Sequence, residues 1–268
     1  MFSLRQKRSF LFLLLLFPSV FAYADVIDHS AWNGLLQKFV RQGLVDYQGL
    51  LGRRDQLEAY LNSLGEVSVD ELGELAREER IAFWINLYNA SVVRMILEAY
   101  PIEEVNQIPA AFEVRTVRAL GDFFSLSELK EEVLRKGFRD ERILIALISG
   151  RMDSPPLLNE AYSGDRLEAQ LDRAAHEFVE DETRNQIKSG SKKVFLSPLF
   201  REFGKDFMLN FSSQGSAPGF SETETAVVSF FLHHLSDPEK RLYLDSGRYK
   251  IKYLPEDLRL NDVKNNGR

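Results

Sequence analysis

The feature that most constrains the fold is the stretch "RIAFWINLYNASVVRMILEAYP", which runs from Arg80 to Pro101. It has the length of a helix and is apolar on almost every side, so neighbouring elements should surround it in the core. Two amides, Asn86 and Asn89, lie three residues apart in its middle and therefore near one face. A buried amide without partners costs about 1–3 kcal/mol, so both side chains should be hydrogen-bonded.

Two interpretations of this amide pair remain open from the sequence. Asn86 and Asn89 could pin the backbone of an irregular loop against the helix, because an amide offers both donors and an acceptor. Alternatively, they could form the polar wall of a pocket that orients a ligand, with Trp84 beside them. Buried polar groups are normally satisfied structurally, which favours the loop-organising role.

The first 24 residues have the three parts of a secretory signal peptide. Arg5, Lys7 and Arg8 precede the apolar run "SFLFLLLLFPSVF", and Ala22-Tyr23-Ala24 forms a small-residue cleavage site. The run is too short to span a bilayer comfortably, since a spanning helix needs about 20 apolar residues. The sequence therefore predicts cleavage after Ala24 and release of a soluble, secreted protein into a bacterial periplasm, with no stable membrane insertion after cleavage.

Charge and cysteine content exclude several classes of function. Cleavage would remove three basic residues and no acidic one, which takes the formal net charge from −6 to −9. An acidic chain without a basic run is a poor ligand for nucleic acid or for an anionic membrane surface. The chain has no cysteine, which excludes disulfides and a lipid-modified cysteine.

Local signals predict a helix-rich chain with few strands. Capping boxes at Ser68/Glu71, Ser125/Glu128 and Ser221/Glu224 indicate three helix starts, and Ser197-Pro198 indicates a fourth. A first helix in "AWNGLLQKFVRQG" is predicted to end at Gly43. The predicted strands are a buried one over Arg142 to Ser149, a second in "KKVFLS", and a hairpin in "RLYLDSGRYKIKYL" that turns at residues 245–247.

This order of elements favours an α+β fold rather than a doubly wound one. We expect a single helix-rich domain with a small, largely antiparallel sheet, for which a papain- or transglutaminase-like layout is an analogy only. The predicted organisation is a signal peptide over 1–24, the domain over 25–261 and a polar tail over 262–268.

The stretch "RIAFWINLYNASVV" resembles the signature of the domain-of-unknown-function family 547. Further blocks resemble that family in the same order and cover most of the chain after the leader: "GLVDYQGL" (43–50), "GDFFSLSELKEEVLR" (121–135), "RILIALISGRMDSPPLLNEAY" (142–162), "SPLFREFGKDF" (197–207) and "DLRLN" (257–261). The resemblance implies a fold and the place of an interesting surface, but it names no reaction.

The chain departs from the usual pattern of the family at four positions. The resemblance implies a His where this chain has Leu144, a Cys at both Ser149 and Ser154, and a Glu at Lys130. Cys and His suit thiol chemistry or soft-metal ligation, so their replacement indicates a member without that chemistry. Ser154 stays a weak candidate nucleophile that would need a nearby base, against the alternative of a turn residue before the Pro-Pro pair.

The remaining candidate site residues are polar groups near the family blocks. Asp46 and Asp206 could help to organise a polar site, although an isolated Asp more often caps or bridges backbone. The sequence contains no glycine-rich phosphate loop, metal-ligand spacing or cofactor fingerprint, so no cofactor and no metal are predicted.

Three functions remain open. The first is a non-catalytic envelope protein that binds an unknown protein or small molecule in a cleft between the amide helix and the Ser149–Pro156 loop. The second is a hydrolase or transferase that acts on envelope peptides or esters with an unassigned nucleophile. The third is an electron-transfer or metal accessory protein, which the absence of cysteine disfavours. The sequence favours the first function and leans against an enzyme.

Overall fold

Helices make up most of the computed structural model, which describes residues 27–211 and 219–265. The α-helices are α1 (Ser30–Phe39), α2 (Tyr47–Leu51), α3 (Arg54–Gly65), α4 (Val69–Glu74), α5 (Arg77–Ala99), α6 (Leu126–Glu128), α7 (Lys136–Phe138), α8 (Arg142–Ala146), α9 (Leu167–Glu180), α10 (Pro198–Phe203), α11 (Met208–Phe211), α12 (Glu222–His234) and α13 (Pro238–Asp245). A π-helix (Leu129–Arg135) joins α6 to α7, and short 3₁₀ turns cover Val105–Gln107, Gly164–Arg166, Gly204–Phe207 and Val263–Asn265.

The strands form three separate pairs rather than one sheet. The strands are β1 (Val40–Arg41), β2 (Leu44–Val45), β3 (Val117–Ala119), β4 (Asp122–Phe124), β5 (Lys193–Leu196) and β6 (Lys250–Tyr253). The pairs β1–β2 and β3–β4 are antiparallel, whereas β5 and β6 run parallel with Lys193 opposite Lys250. The helix-rich α+β fold of a single domain is confirmed.

Helix α5 is the apolar stretch of the sequence, and it lies in the centre of the larger core. Every residue from 81 to 93 is buried, because α3, the π-helix and α9 pack around it. All three predicted capping boxes are present, at the starts of α4, α6 and α12. Ser197 caps α10, with Pro198 at the first helical position as predicted.

The predicted strand over Arg142 to Ser149 is wrong. Residues 142–146 form α8, and the chain becomes extended only from Leu147. A short apolar run does not distinguish a buried strand from a buried helix, and here Asp140 supports the first helical turn. Its carboxylate accepts hydrogen bonds from the Arg142 backbone N–H, at 3.0 Å, and from the Arg142 side chain.

Two other boundaries differ from the prediction. The first helix ends at Phe39, because Gln42 and Gly43 both have positive φ and form the turn between β1 and β2. The predicted hairpin is instead α13 followed by β6. Asp237 caps α13 by accepting from two backbone N–H groups, and Pro238 begins it, so residues 238–245 are helical.

Two hydrophobic clusters form the interior, and α8 contributes to both of them. The larger cluster surrounds α5, and the smaller surrounds Phe200, Phe230 and their neighbours. The fold continues past Asn261, where the sequence placed the start of a polar tail, since Asp262 and Asn265 are buried. The predicted leader and its cleavage site lie outside the described residues. Within residues 27–211 and 219–265, none of the helices combines the length and apolarity of a membrane span.

Candidate functional site

Asn86 and Asn89 each hold the backbone of another segment against α5. The Asn86 amide donates to the carbonyl of Tyr162 at 2.8 Å and accepts from the Tyr162 N–H at 3.0 Å. Asn89 donates to the Ala146 carbonyl at 2.9 Å and accepts from the Ile148 N–H at 3.1 Å. Both side chains are buried, so each amide satisfies a backbone N–H and a backbone carbonyl that water does not reach.

The segment that Asn89 holds leads directly into a cleft. After Ile148 the chain passes Ser149 and turns at Gly150, whose φ is +76°. A side chain at Gly150 would collide with Ile96, because an added Cβ would lie 2.4 Å from the Ile96 Cδ1 atom. The backbone therefore leaves the core at one fixed place, beside a cavity of about 300 Å³. We call this cavity the Lys130 cleft.

The π-helix, the 147–155 segment and α10 form the walls of the Lys130 cleft. A π-helix widens the helical turn by one residue, and such stretches occur frequently at functional sites. Here Lys130 and Glu131, both on the π-helix, line the cleft, and Phe203 at the end of α10 lies opposite them.

Lys130 is the unusual charge of the cleft. Its Nζ atom lies 4.1 Å from the centre of the Phe203 ring, and it makes no ion pair or hydrogen bond with any described residue. Arg135 lies near the same ring, 5.3 Å away. Burial lowers the pKa of the Lys130 ammonium group, against the opposing effect of the Glu202 and Glu131 carboxylates. The structure therefore holds a partly buried ammonium that lacks a counter-ion in direct contact.

The other charges that line the cleft are mostly neutralised within the protein. Arg151 binds both oxygens of Asp153, at 2.9 and 2.6 Å, and reaches Glu256 at 3.1 Å. Burial alone would lower the pKa of Arg151, but the hydrogen bonds and charges of Asp153 and Glu256 raise it. Glu131 is paired with Arg135 at 2.5 Å. Among the lining carboxylates, Glu202 is left exposed and without a direct partner in the described chain.

The loop that carries Arg151 and Ser154 is held from outside the cleft. Arg184 donates to the carbonyls of Met152 and Ser154, each at 3.0 Å. The carboxy-terminal segment 257–261 also bonds to it, since Met152 N–H donates to Arg259 O and Asn261 N–H donates to Gly150 O. These contacts explain why "DLRLN", although distant in sequence, belongs to the same site.

Ser154 lines the cleft but has no base beside it. Its buried hydroxyl lies 2.8 Å from the Arg151 carbonyl, to which it donates, and 3.3 Å from the Pro155 carbonyl. None of the chain's four histidines, His29, His176, His233 and His234, lines the cleft. The geometry is that of a hydroxyl that closes a turn, without the hydrogen bond to a His or carboxylate that would activate a nucleophile.

The other predicted site residues lie apart from this cleft. Trp84 packs in the core against Phe83 and Phe124. Asp46 caps α2 by accepting from the Gly49 N–H at 2.8 Å. Asp206 binds Arg135 at 2.9 and 3.0 Å and lines a neighbouring surface cavity. Of the predicted set, the structure brings Ser149 and Ser154 together in the cleft, and it places Asn86, Asn89 and Trp84 in the core.

Sequence reasoning did not name Lys130 and Phe203 as site residues, although one signal for Lys130 was available. Lys130 is one of four positions at which the chain departs from the pattern that the family resemblance implies, and the others are Leu144, Ser149 and Ser154. All four of these positions line the Lys130 cleft. The described residues contain no group of three His, Cys, Asp or Glu side chains arranged to hold a metal ion.

Comparison with known proteins gives one match. Residues 72–179 match the model of a family described as "Protein of unknown function, DUF547". The matched range contains α5, the π-helix and the Ser154 loop, and it ends before α10 and the carboxy-terminal segment. Neither the curated proteins nor the solved structures give a match to this chain.

Proposed function

We propose that this chain, whose residues 72–179 match the model of the DUF547 family, is an exported member of that family that binds, without catalysis, a small ligand with an anionic group in the Lys130 cleft. The observation that carries the proposal is that four departures from the implied family pattern lie in the same cavity. Lys130, Leu144, Ser149 and Ser154, where the family resemblance implies Glu, His, Cys and Cys, all line one cavity. The resemblance therefore implies that the groups suited to chemistry are absent together from this cavity and that a cation stands among the residues in their place.

Lys130 supplies the reason to expect an anion. An ammonium that burial has deprived of water is stabilised by any anion that completes its coordination. The Phe203 ring covers one side of the ammonium, and ligand atoms in the cleft can approach another. Arg135, Arg151 and Arg201 hold three of the lining carboxylates, which reduces their repulsion of an incoming anion.

The size of the cleft limits the ligand. A cavity of about 300 Å³ is at the small end of the range for ligand sites. It would take a small organic carboxylate or the carboxyl-terminal end of a peptide. The serine hydroxyls and the apolar side chains of Leu144 and Phe203 offer one polar wall and one apolar wall to such a ligand.

Binding of small carboxylates to the purified processed protein tests the proposal. Isothermal titration with short peptides that end in a free carboxylate should show binding, and the same peptides with an amide end should bind at least about tenfold more weakly. Lys130→Met should lose a similar factor. The control is Lys136→Met, which removes the same charge from an exposed lysine on the adjoining turn. Equal affinities for all three proteins would reject the cleft as an anion site.

A turnover screen tests the non-catalytic part. Peptide, ester and peptidoglycan substrates should remain unchanged by the wild type. Turnover that Ser154→Ala abolishes would replace this proposal with a serine hydrolase or transferase. Turnover that survives Ser154→Ala would indicate an enzyme with another nucleophile.

Export is a separate part of the proposal and has its own test. The basic start, apolar run and Ala-Tyr-Ala site support it. Amino-terminal sequencing of the protein isolated from the periplasmic fraction should read from Asp25. An intact leader would contradict export in this form.

A further inference from the structure

A second cavity, of about 620 Å³, lies between the end of the π-helix, α7 and the 3₁₀ turn over residues 204–207. We call it the Arg139 cavity. Among the described residues, Leu144 is the one lining residue that it shares with the Lys130 cleft. The polar groups of the two cavities are different, so the ligand of the Arg139 cavity is independent of the function proposed above.

The charged groups that line the Arg139 cavity are unequally engaged within the protein. Each lining carboxylate has a partner, and the three pairs are Asp206 with Arg135 at 2.9 Å, Asp140 with Arg142 at 2.7 Å and Glu141 with Asn210 at 2.7 Å. By contrast, the side chains of Arg139 and Lys205 make no ion pair or hydrogen bond with any described residue. Both are exposed, so a ligand from solvent can reach them. The lining charges that are exposed and unpartnered in the described chain are therefore both positive.

The ion pair between Arg135 and Asp206 brings these two cations to the same part of the cavity. The Arg135 Nε atom donates to both oxygens of Asp206, at 2.9 and 3.0 Å, which ties the π-helix to the 3₁₀ turn. Lys205 directly precedes Asp206. Arg139 follows Arg135 by one helical turn, with its N–H 3.3 Å from the Arg135 carbonyl, and residues at this spacing have Cβ atoms about 5–6 Å apart. Arg139 and Lys205 therefore flank one ion pair from two different elements.

The backbone of Arg139 indicates that its side chain has a use beyond the fold. Arg139 follows the last residue of α7 and has φ 55° and ψ 46°, which is the left-handed region. Glycine or asparagine usually holds this position, because the Cβ of other residues is strained there. Residues in such conformations are concentrated at ligand sites. Here the strained residue supplies one of the two free cations.

We propose that the Arg139 cavity binds a phosphate monoester, with its dianion between the Arg139 guanidinium and the Lys205 ammonium. A phosphate monoester carries about −1.5 to −2 charges at pH 7, which matches two free cations. A guanidinium binds two phosphate oxygens at once, and an ammonium adds a point charge. Leu144, Met208 and Leu209, of which Leu209 is 49% exposed, offer an apolar wall to the organic part of the ester. A soluble ester and a lipid head group are the two sources of this chemistry.

Isothermal titration with phenyl phosphate tests the proposal. All proteins in the series carry Lys130→Met, so that an anion in the Lys130 cleft does not contribute. Arg139→Gln and Lys205→Gln should each weaken binding about three- to tenfold, since exposed charge pairs contribute less than buried ones. Lys188→Gln, which removes an exposed lysine that lines neither cavity, is the matched control and should leave the affinity unchanged. Benzenesulfonate, with the same ring and a single charge, should bind more weakly than phenyl phosphate.

A further variant separates binding from folding. Arg139→Gly removes the cation and also the strain of its backbone, so it should weaken binding as Arg139→Gln does and unfold at the same temperature or a higher one. A lower melting temperature would mean that the Arg139 side chain serves the fold, which would contradict its role as a ligand group.

Vesicles distinguish the two sources. For a lipid head group, the protein should co-sediment with vesicles that contain phosphatidic acid, a phosphate monoester, and not with phosphatidylcholine alone, and phenyl phosphate should release it. For a soluble ester, phenyl phosphate should bind and neither kind of vesicle should retain the protein. The proposal is overturned if neither probe binds, or if Arg139→Gln and Lys205→Gln bind both probes as Lys188→Gln does.

Discussion

The amide pair of α5 and the lysine of the cleft are both polar groups placed against apolar surroundings, but their bonding differs. Asn86 and Asn89 each donate and accept one hydrogen bond, and both are satisfied by backbone. Lys130 contacts the Phe203 ring and has no ion pair within the described chain. We call a polar group saturated when its hydrogen bonds or ion pairs are made within the protein. Saturated groups stabilise the fold, whereas an unsaturated group is available to a ligand. The difference predicts opposite consequences of mutation in the two regions.

The largest effect is expected from breaking the saturated region. Asn86→Ala and Asn89→Ala should each lower the free energy of unfolding by about 1–3 kcal/mol, because each leaves a buried carbonyl and a buried N–H unpaired. Denaturant unfolding monitored by circular dichroism measures this. Asn62→Ala, at an exposed position of α3, is the matched control and should change stability by less than about 0.5 kcal/mol.

A different result would change the role of the amides. Wild-type unfolding midpoints combined with lost ligand binding would indicate that Asn86 and Asn89 act as walls of a binding site. The hydrogen bonds to Tyr162 and to the 146–148 segment would then be of little energetic importance.

This comparison also shows what could be predicted from the sequence. The burial of α5, its two amides and the three capping boxes all follow from patterns within a few residues, and the structure contains them. Asn86 and Asn89 were expected to bond to something, but their partners lie 57 to 76 residues away. No local pattern specifies contacts at that separation.

The cleft was harder to predict for a related reason. Its walls come from the π-helix, the 147–155 segment and α10, and the stretch before Ser149 was predicted as a strand. Periodicity at 3.6 residues does not reveal a π-helix, which shifts Lys130 relative to its neighbours. The loop after residue 148, which the sequence predicts to be part of a ligand-facing surface, lines the Lys130 cleft, while Trp84 and the amides lie in the core.

His29 is intermediate between the two regions, because one ring nitrogen bonds to Tyr60 and the other has no partner among the described residues. Burial lowers its pKa from 6.5 to about 4. Between these values the unfolded chain binds the proton more readily, so His29 should cost stability as pH falls from about 6.5 to about 4. The wild type should therefore lose on the order of 1–3 kcal/mol more than His29→Gln over this range.

Urea unfolding at pH 7, 5.5 and 4 measures this difference. Asn62→Ala, at an exposed and uncharged position of α3, is the control and should follow the pH dependence of the wild type. If His29→Gln is as acid-sensitive as the wild type, His29 is solvated in the folded protein. The Nε2 atom of His29 would then not be buried without a hydrogen-bond partner.

The smallest expected effect is that of Lys130→Met on the free energy of unfolding, and its sign should be opposite to that of the amide variants. Lys130→Met should leave stability at pH 7 unchanged or raise it by up to about 1 kcal/mol. Removing the charge relieves its desolvation, and methionine retains contact with the Phe203 ring. The lost cation–π contact, worth about 0.5–1 kcal/mol at an exposed site, limits the gain.

The pH dependence gives a second measurement on the same variant. Because the pKa of Lys130 is lowered in the folded state, its charge costs stability below that pKa, and the cost disappears as pH rises towards 10.5. The stability difference between Lys130→Met and the wild type should therefore narrow with rising pH in that window. A clear loss of stability in Lys130→Met at pH 7 would mean that Lys130 is saturated within the protein, as Asn86 and Asn89 are, and the case for an anion in the cleft would fail.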